Sequence, residues 1–193
     1  MKKNIILAGV GGQGILSIAA TIGMAAISGN INIKQSEVHG MSQRGGDVQS
    51  HLRLSDKPIA SDVIPKGKAD IIISVEPMEA LRYLPYLSKD GWLITNSKPY
   101  NNIADYPEVE ELMADIKKIK NHIIIDAEEI AKSIKSRRSS NIVMLGAASP
   151  FLDLSMELLE EGLKQIFGRK GEEVVNVNIE ALRLGRKFTE ENM

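Results

Sequence analysis

The sequence predicts an α/β protein in which one sheet is covered by helices on both faces. Three observations predict it: an apolar strand that runs into a glycine loop and a helix, a regular alternation of strands and helices after it, and a last part without strand signals. Such alternation is typical of a mostly parallel sheet between two helical layers. We therefore expect residues 1–193 to form a single three-layer α/β/α Rossmann-like domain, with an inserted β-hairpin-type loop and a helical C-terminus.

The first strand, glycine loop and helix carry the clearest signal. Residues 5–8 are a continuous apolar run that ends in glycines, as expected of a central strand covered on both faces. Apolar residues at helical spacing follow Gly14, and Gly29 with Asn30 ends the pattern. This order predicts a strand, a tight loop and a helix.

A polar loop between two strands is predicted next. Residues 31–37 alternate as a strand that loses its apolar character by Ser36, and residues 48–54 alternate again before a turn at residues 56–58. The glycine-bearing stretch between them fits no regular element. It stands where a dinucleotide-binding fold usually has a crossover helix.

The rest of the chain first alternates and then becomes helical. Strands are predicted over residues 71–75, 92–95 and 123–125, with helices from Pro77, over residues 109–119 and from about residue 127. After Asn141 only helical patterns remain, over residues 142–148, 155–168 and 172–187.

Composition excludes several classes of protein. The chain has 24 basic and 25 acidic residues and a formal net charge of −1, which gives no reason to expect a nucleic-acid partner. It has no cysteine, which excludes disulfides, a thiol nucleophile and a cysteine-ligated iron–sulfur cluster in this chain. Neither a signal peptide nor an apolar stretch of about 18 residues is present, so we expect a cytoplasmic protein without a membrane span.

The glycine loop, GVGGQG at residues 9–14, has the spacing G-x-G-x-x-G between a strand and a helix. Amide groups at the start of such a helix can face a phosphate, whereas the glycines can equally serve only tight packing of strand on helix. Glu37 lies at the offset of a ribose-binding carboxylate, yet a glycine- and arginine-bearing loop follows it directly. A nicotinamide or flavin dinucleotide is therefore less favoured than another anion.

Residues 36–47, SEVHGMSQRGGD, form the densest set of chemical groups in the chain. Arg44 beside two glycines could clamp a phosphate or carboxylate. The alternative is a hairpin loop whose polar groups satisfy one another. His39 is a weak candidate, because no metal-ligand spacing relates it to His51 or His122.

Two charged pairs in the second half have ordinary interpretations. Glu128 and Glu129 are expected on a solvated helix face. Arg137 and Arg138, which precede two serines, indicate either a charged helix end or a contact with a partner subunit.

The motifs GVGGQGI at residues 9–15, SEVHGMSQRGG at residues 36–46 and DIIIS at residues 70–74, followed by Glu76 and Pro77, carry a family resemblance. With them the chain resembles the gamma-type subunits of the 2-oxoacid:ferredoxin oxidoreductases over nearly its whole length. Its motifs are most similar to those of the beta subunits of indolepyruvate ferredoxin oxidoreductases. The glycine loop alone is unspecific, and its combination with the second motif is what identifies the family.

The resemblance implies a non-autonomous subunit. The family's reaction is the oxidative decarboxylation of an aryl pyruvate with coenzyme A (CoA) to an aryl-acetyl-CoA, carbon dioxide and reduced ferredoxin. It implies a large alpha subunit that carries thiamine diphosphate and [4Fe-4S] clusters, with ferredoxin reached through the complex and no cofactor held by this chain alone. The lack of cysteine agrees with that division of labour.

The resemblance also implies two sets of site residues and no metal ligand. The phosphate-facing loop would contain Gly9, Gly11, Gly12, Gln13 and Gly14. The cleft shared with the alpha subunit would be lined by Ser42, Gln43, Arg44, Gly45 and Gly46, with Arg44 and Ser42 as the catalytic candidates. We expect Arg44 to fix an anionic substrate or CoA group electrostatically.

Two other functions stay open from the residues themselves. One is a stand-alone NAD(P)-dependent dehydrogenase, and the other is an assembly module whose glycine loop binds nothing. The preferred 2-oxoacid, the anion that meets the glycine loop and the stoichiometry of the complex are not determined by the sequence.

Overall fold

A six-stranded sheet forms the centre of the molecule in a computed structural model, which describes residues 1–39, 45–101 and 103–193. The strands are β1 (Lys2–Val10), β2 (Asn32–His39), β3 (Asp47–Ser55), β4 (Ala69–Ser74), β5 (Leu87–Asn96) and β6 (His122–Ile125). Their order in the sheet is β2-β3-β1-β4-β5-β6. All the strands expected from the sequence are confirmed.

The sheet is mixed because of the predicted hairpin. Strands β1, β4, β5 and β6 run parallel, while β3 is antiparallel to both of its neighbours, β1 and β2. The hairpin register runs from Asn32 opposite Ser55 to His39 opposite Val48. The chain thus returns along β3 without a crossover helix after β2, as the sequence predicts.

Helices cover both faces of this sheet. Those in the described ranges are α1 (Ile15–Ser28), α2 (Pro77–Arg82), α3 (Val109–Lys117), α4 (Ala127–Ser133), α5 (Ser140–Ala148), α6 (Met156–Phe167) and α7 (Glu172–Glu191). Short 3-10 turns occupy Leu84–Tyr86 and Arg137–Ser139, among others. The helical C-terminal part is confirmed.

Two apolar cores follow from the alternation of side chains along the strands. On β1, Ile5 and Leu7 belong to the core under α1, α4, α5, α6 and α7, whereas Ile6 and Ala8 belong to the core under α2 and α3. Both sets are buried, which explains why this strand reads as a continuous apolar run. The three-layer prediction is therefore confirmed.

Helices α5 and α7 approach one another through two glycines. A Cβ on Gly146 would lie 2.1 Å from the carbonyl oxygen of Leu182, and one on Gly185 would lie 2.0 Å from that of Val143. Thr189 adds a hydrogen bond from its hydroxyl to the carbonyl oxygen of Ala147, over 2.9 Å. This contact fixes α5, whose first residues reach the candidate site.

Candidate functional site

The candidate site lies at the edge of the sheet where the parallel strands end. The chain leaves β1 for β2 on one side and later returns to β4 on the other side of β1, which makes the gap between β1 and β4 a topological switch point. Ligands of open α/β sheets bind at such points. The glycine loop occupies this position, because it directly follows β1.

At three positions of the loop glycine is needed, for different structural reasons. A Cβ on Gly9 would lie 2.3 Å from Cγ2 of Val75, so this glycine allows close packing. Gly12 and Gly14 have φ angles of 103° and 82°, in the left-handed region that side chains rarely adopt. Tight packing thus explains Gly9, whereas Gly12 and Gly14 shape the backbone of the loop.

Two carboxamides hold the loop in place. Val10 donates its amide hydrogen to Oε1 of Gln13 over 2.8 Å, and Nε2 of Gln13 donates to the carbonyl oxygen of Val75 over 3.4 Å. Nδ2 of Asn141, at the start of α5, donates to the carbonyl oxygen of Gly14 over 3.0 Å. Gln13 therefore supports the loop with its side chain, and its expected contact with a ligand remains a prediction.

The start of α1 is electrostatically suited to an anion. Among the described residues no side chain caps this helix, and its first turn holds no acidic residue. The positive end of the helix dipole is thus not neutralised locally.

The two sequence motifs meet at this edge. The amide of Gly11 donates to the carbonyl oxygen of Gly46 over 2.8 Å, and the amide of Gly45 donates to the carbonyl oxygen of Gly11 over 3.4 Å. Gly45 and Gly46 thus contact the glycine loop, and their expected role in a cleft shared with a partner stays a prediction. Ser42, Gln43 and Arg44 lie outside the described residues, and their roles stay predictions.

A groove of about 610 Å³ opens beside the glycine loop. It is lined by the loop, by the start of α1, by residues 136–141 and by parts of α6 and α7. Its cations are Arg137, Arg138 and Lys170, all exposed, and none has an ion-pair partner within the described ranges. The sequence indicated either a charged helix end or a partner contact for Arg137 and Arg138, and gave no sign that they lie near the glycine loop.

A smaller recess of about 60 Å³ adjoins this groove. Gln13, Ser140 and Asn141 line both spaces, and Glu128 lines the recess. Oε2 of Glu128 is buried and has no hydrogen-bond partner in the described part of the chain. The expected solvated face is therefore wrong for this oxygen, whereas Glu128 as a whole is half-buried and its neighbour Glu129 is exposed.

An acidic cluster of Asp47, Glu76 and Glu79 lies at the same edge, on the face covered by α2. Glu76 is fully buried and Glu79 is 2% exposed. Nε of Arg82 donates to Oε2 of Glu79 over 2.8 Å. Burial raises the pKa of Glu79 to about 7, with Arg82 lowering it and Asp47 raising it. Sequence reasoning missed the cluster, because its members are scattered along the chain.

The side chain of Glu76 caps the start of α2. Its Oε2 accepts from the amide of Glu79 over 2.9 Å, and its Oε1 accepts from the hydroxyl of Tyr106. Burial and this carboxylate hold the pKa of Tyr106 well above its usual range. Glu76 is thus a structural cap of α2 that also anchors a distant loop.

His51, in the middle of β3, has a structural role. Nδ1 of His51 accepts from the amide of Ile64 over 2.9 Å, and burial lowers the pKa of this histidine. Within residues 1–39, 45–101 and 103–193, no three His, Asp or Glu side chains are grouped to hold a metal ion. None of the helices described there combines the length and apolarity needed to cross a bilayer.

Comparison with known proteins identifies relatives over the whole length. The profile of a family described as pyruvate ferredoxin/flavodoxin oxidoreductase matches residues 4–188. Indolepyruvate oxidoreductase subunit IorB of Pyrococcus horikoshii is 38% identical over 202 residues, which cover 99% of this chain and 98% of that protein.

Two solved structures share the fold. The gamma subunit of a keto/oxoacid ferredoxin oxidoreductase from Geobacter sulfurreducens is 22% identical, with a TM-score of 0.72 over 98% of this chain and 99% of that one. A 2-oxoglutarate:ferredoxin oxidoreductase from Magnetococcus marinus, solved with 2-oxoglutarate, coenzyme A and succinyl-CoA bound, is 24% identical with a TM-score of 0.78. It is matched over 98% of this chain but only 31% of its own.

Proposed function

The chain belongs to the pyruvate ferredoxin/flavodoxin oxidoreductase family, and from this we propose that it is the small subunit of an indolepyruvate ferredoxin oxidoreductase. The complex would convert an aryl pyruvate and CoA to an aryl-acetyl-CoA and carbon dioxide. The two electrons released would reduce two ferredoxins. The similarity to indolepyruvate oxidoreductase subunits over nearly the full length supports this choice of 2-oxoacid.

The redox cofactors fit a partner and not this chain. The chain has no cysteine to bind an iron–sulfur cluster. We therefore assign the iron–sulfur clusters, and with them the thiamine diphosphate that the family resemblance implies, to a larger alpha subunit, while this chain contributes binding and positioning.

The observation that carries the proposal is the cationic groove beside the glycine loop. Arg137, Arg138 and Lys170 add three positive charges to the uncapped start of α1. CoA carries a diphosphate and a ribose phosphate, and guanidinium groups bind phosphate through two parallel hydrogen bonds. CoA bound in the related 2-oxoglutarate enzyme makes it the natural candidate for the anion.

The second motif would serve the shared cleft. Gly45 and Gly46 contact the glycine loop, which supports our assignment of the second motif to the same site. We assign Arg44 to the electrostatic fixing of an anionic group of substrate or CoA, and Ser42 to the same cleft. Gln43 would line it.

Steady-state kinetics of the reconstituted complex test the proposal. The double variant Arg137→Ala/Arg138→Ala should raise KM for CoA by about tenfold or more, because each charged hydrogen bond contributes about 1.5 kcal/mol or more. KM for the 2-oxoacid should not change. The matched control is Lys117→Ala/Lys118→Ala at the C-terminal end of α3, which removes two cations from the other helical layer. Equal effects of the two double variants would contradict the proposal.

The open alternatives give different results. A stand-alone dehydrogenase would gain thermal stability with NAD or NADP, as any ligand selective for the folded state confers. We expect no such shift. An assembly module would tolerate the loss of both arginines without any change in KM.

A further inference from the structure

A second concave surface adjoins the glycine loop next to β3. It is a recess of about 300 Å³, lined by glycines of the loop and by four aliphatic side chains. Val10, Ile15 and Val48 are buried, whereas the fourth, Leu16, is 50% exposed. Among the described residues that line this recess, none is charged. We call this surface the apolar recess, in contrast to the cationic groove.

Leu16 is the exposed member of an otherwise buried set at the start of α1. The other large apolar side chains of the first two turns, Ile15, Ile18 and Ile22, are all buried. A single exposed leucine is ordinary on a protein surface. Leu16, however, borders a concave surface that is already apolar. This combination is typical of the core of a protein interface, where a pocket receives an apolar side chain of the partner.

The chemistry of the family indicates which partner approaches this edge. The chain belongs to the pyruvate ferredoxin/flavodoxin oxidoreductases and yet has no cysteine for an iron–sulfur cluster. A group bound at the glycine loop reacts only when the cofactor-bearing subunit comes close enough for bonds to form. The apolar recess shares Gly12 and Gly14 with the cationic groove. A subunit that closes over the groove therefore lies against the recess as well.

We propose that the apolar recess is a docking site for the large subunit, which inserts an aliphatic or aromatic side chain between Leu16 and Val48. A volume of about 300 Å³ is enough for one large side chain. Burial of Leu16 and of the inserted side chain removes apolar surface from water and so favours association. The inference rests on the proposed function, because that function is what requires a second subunit.

The affinity for the large subunit tests this assignment. The probe is the large subunit separated from the native complex, to which the full chain is added in sedimentation-velocity experiments. Leu16→Ala should raise Kd by about tenfold or more, because it removes most of a side chain that the interface buries. Leu16→Met preserves the apolar contact and should restore Kd to within about threefold.

The matched control is Ile27→Ala. Ile27 is 57% exposed in the last turn of the same helix and does not line the apolar recess. This variant should leave Kd unchanged. Equal Kd values for Leu16→Ala and Ile27→Ala, with melting temperatures that show both variants folded, would overturn the proposal.

Two other occupants give different results. If Leu16→Ala leaves Kd unchanged but raises KM for the 2-oxoacid in the complex, the recess belongs to the substrate. If it leaves Kd unchanged but abolishes self-association of the isolated chain, the recess belongs to a second copy. Either result overturns the assignment to the large subunit.

Amide hydrogen exchange of the unsubstituted chain needs no variant and decides the question even if Leu16→Ala does not fold. Residues 11–17 should exchange more slowly in the complex, and residues 24–28 should not. Equal exchange with and without the large subunit would place the interface elsewhere.

Activity tests the premise separately. A complex that forms but does not reduce ferredoxin with an aryl pyruvate and CoA would refute the proposed reaction, while the comparison of Kd values would still decide the docking site.

Discussion

The hydroxyl of Tyr83 lies between the two carboxylate oxygens of Asp47, 2.8 Å from Oδ1 and 2.6 Å from Oδ2. Tyr83 directly follows α2, and Asp47 is the first residue of β3. Asp47 also follows Gly45 and Gly46, which contact the glycine loop. One hydrogen-bonded contact therefore fixes the position at which the second motif joins the sheet.

Removing this hydroxyl should destabilise the protein. Burial and Asp47 hold the pKa of Tyr83 well above its usual range, so the hydroxyl remains a donor. Tyr83→Phe should lower the free energy of unfolding by about 1.5–3 kcal/mol, as for a hydrogen bond to a charged group. Urea unfolding measures it. Tyr86→Phe is the control, because the hydroxyl of Tyr86 has no hydrogen-bond partner in the described part of the chain. A similar loss in both variants would contradict the assignment.

The free energy of unfolding should depend on pH through the protonation of Glu79. Its pKa is raised to about 7 in the folded state, from 4.5. The folded protein therefore binds this proton more tightly than the unfolded chain does. The stability gained from proton binding is lost as pH rises from 4.5 to about 7, at up to about 1.4 kcal/mol per pH unit. Asp47, Arg82 and Tyr83 are the charged or titratable groups around it.

The measurement is the difference between Glu79→Gln and the unsubstituted chain in urea unfolding at several pH values. The difference is needed because His51, whose pKa is lowered, acts in the opposite direction as pH falls below its usual value. Relative to the unsubstituted chain, the variant should become more stable as pH rises from 5 to 7. A pH-independent difference would refute the role of this carboxyl.

The close contact of α5 and α7 should be intolerant of a methyl group. In Gly185→Ala the new Cβ would meet the carbonyl oxygen of Val143 at 2.0 Å, so the helices must separate. We expect a loss of about 1–3 kcal/mol in the free energy of unfolding. Gly168→Ala is the control, since a Cβ there meets nothing and the backbone has a helical φ of −54°. That variant should be neutral or slightly stabilised. Equal melting temperatures would contradict the contact.

Arg44 is expected to affect turnover and not folding. Arg44→Ala should leave the circular dichroism spectrum unchanged and reduce kcat/KM of the reconstituted complex by about tenfold or more, because a charged group in a dry site stabilises anions strongly. The control is Lys89→Ala, which removes an exposed cation near the N-terminal end of β5. Unchanged kinetics for Arg44→Ala would remove this residue from the site.

Most of the fold could be predicted because its signals are local. Continuous apolar runs marked the buried strands, and Gly14, Pro77 and Gly168 marked helix boundaries at or within a residue of those observed. The hairpin in place of a crossover helix was also evident from the alternation on either side of residues 40–46. The resemblance to the family, carried by two glycine motifs, is confirmed by relatives over nearly the whole chain.

The sequence by itself thus determined the order of elements, the glycine loop and the family. The tertiary structure decided which side chains share the site: Arg137 and Lys170 beside the glycine loop, Glu128 at its recess, and Tyr83 on Asp47. The physical reason is that periodicity and turn residues act over a few positions, whereas the neighbours of a strand end depend on strand order and helix packing. Glu128 illustrates the difference, since its helix position indicates a solvated face, and only the fold brings it beside Gln13, Val75 and Asn96 and buries one of its oxygens.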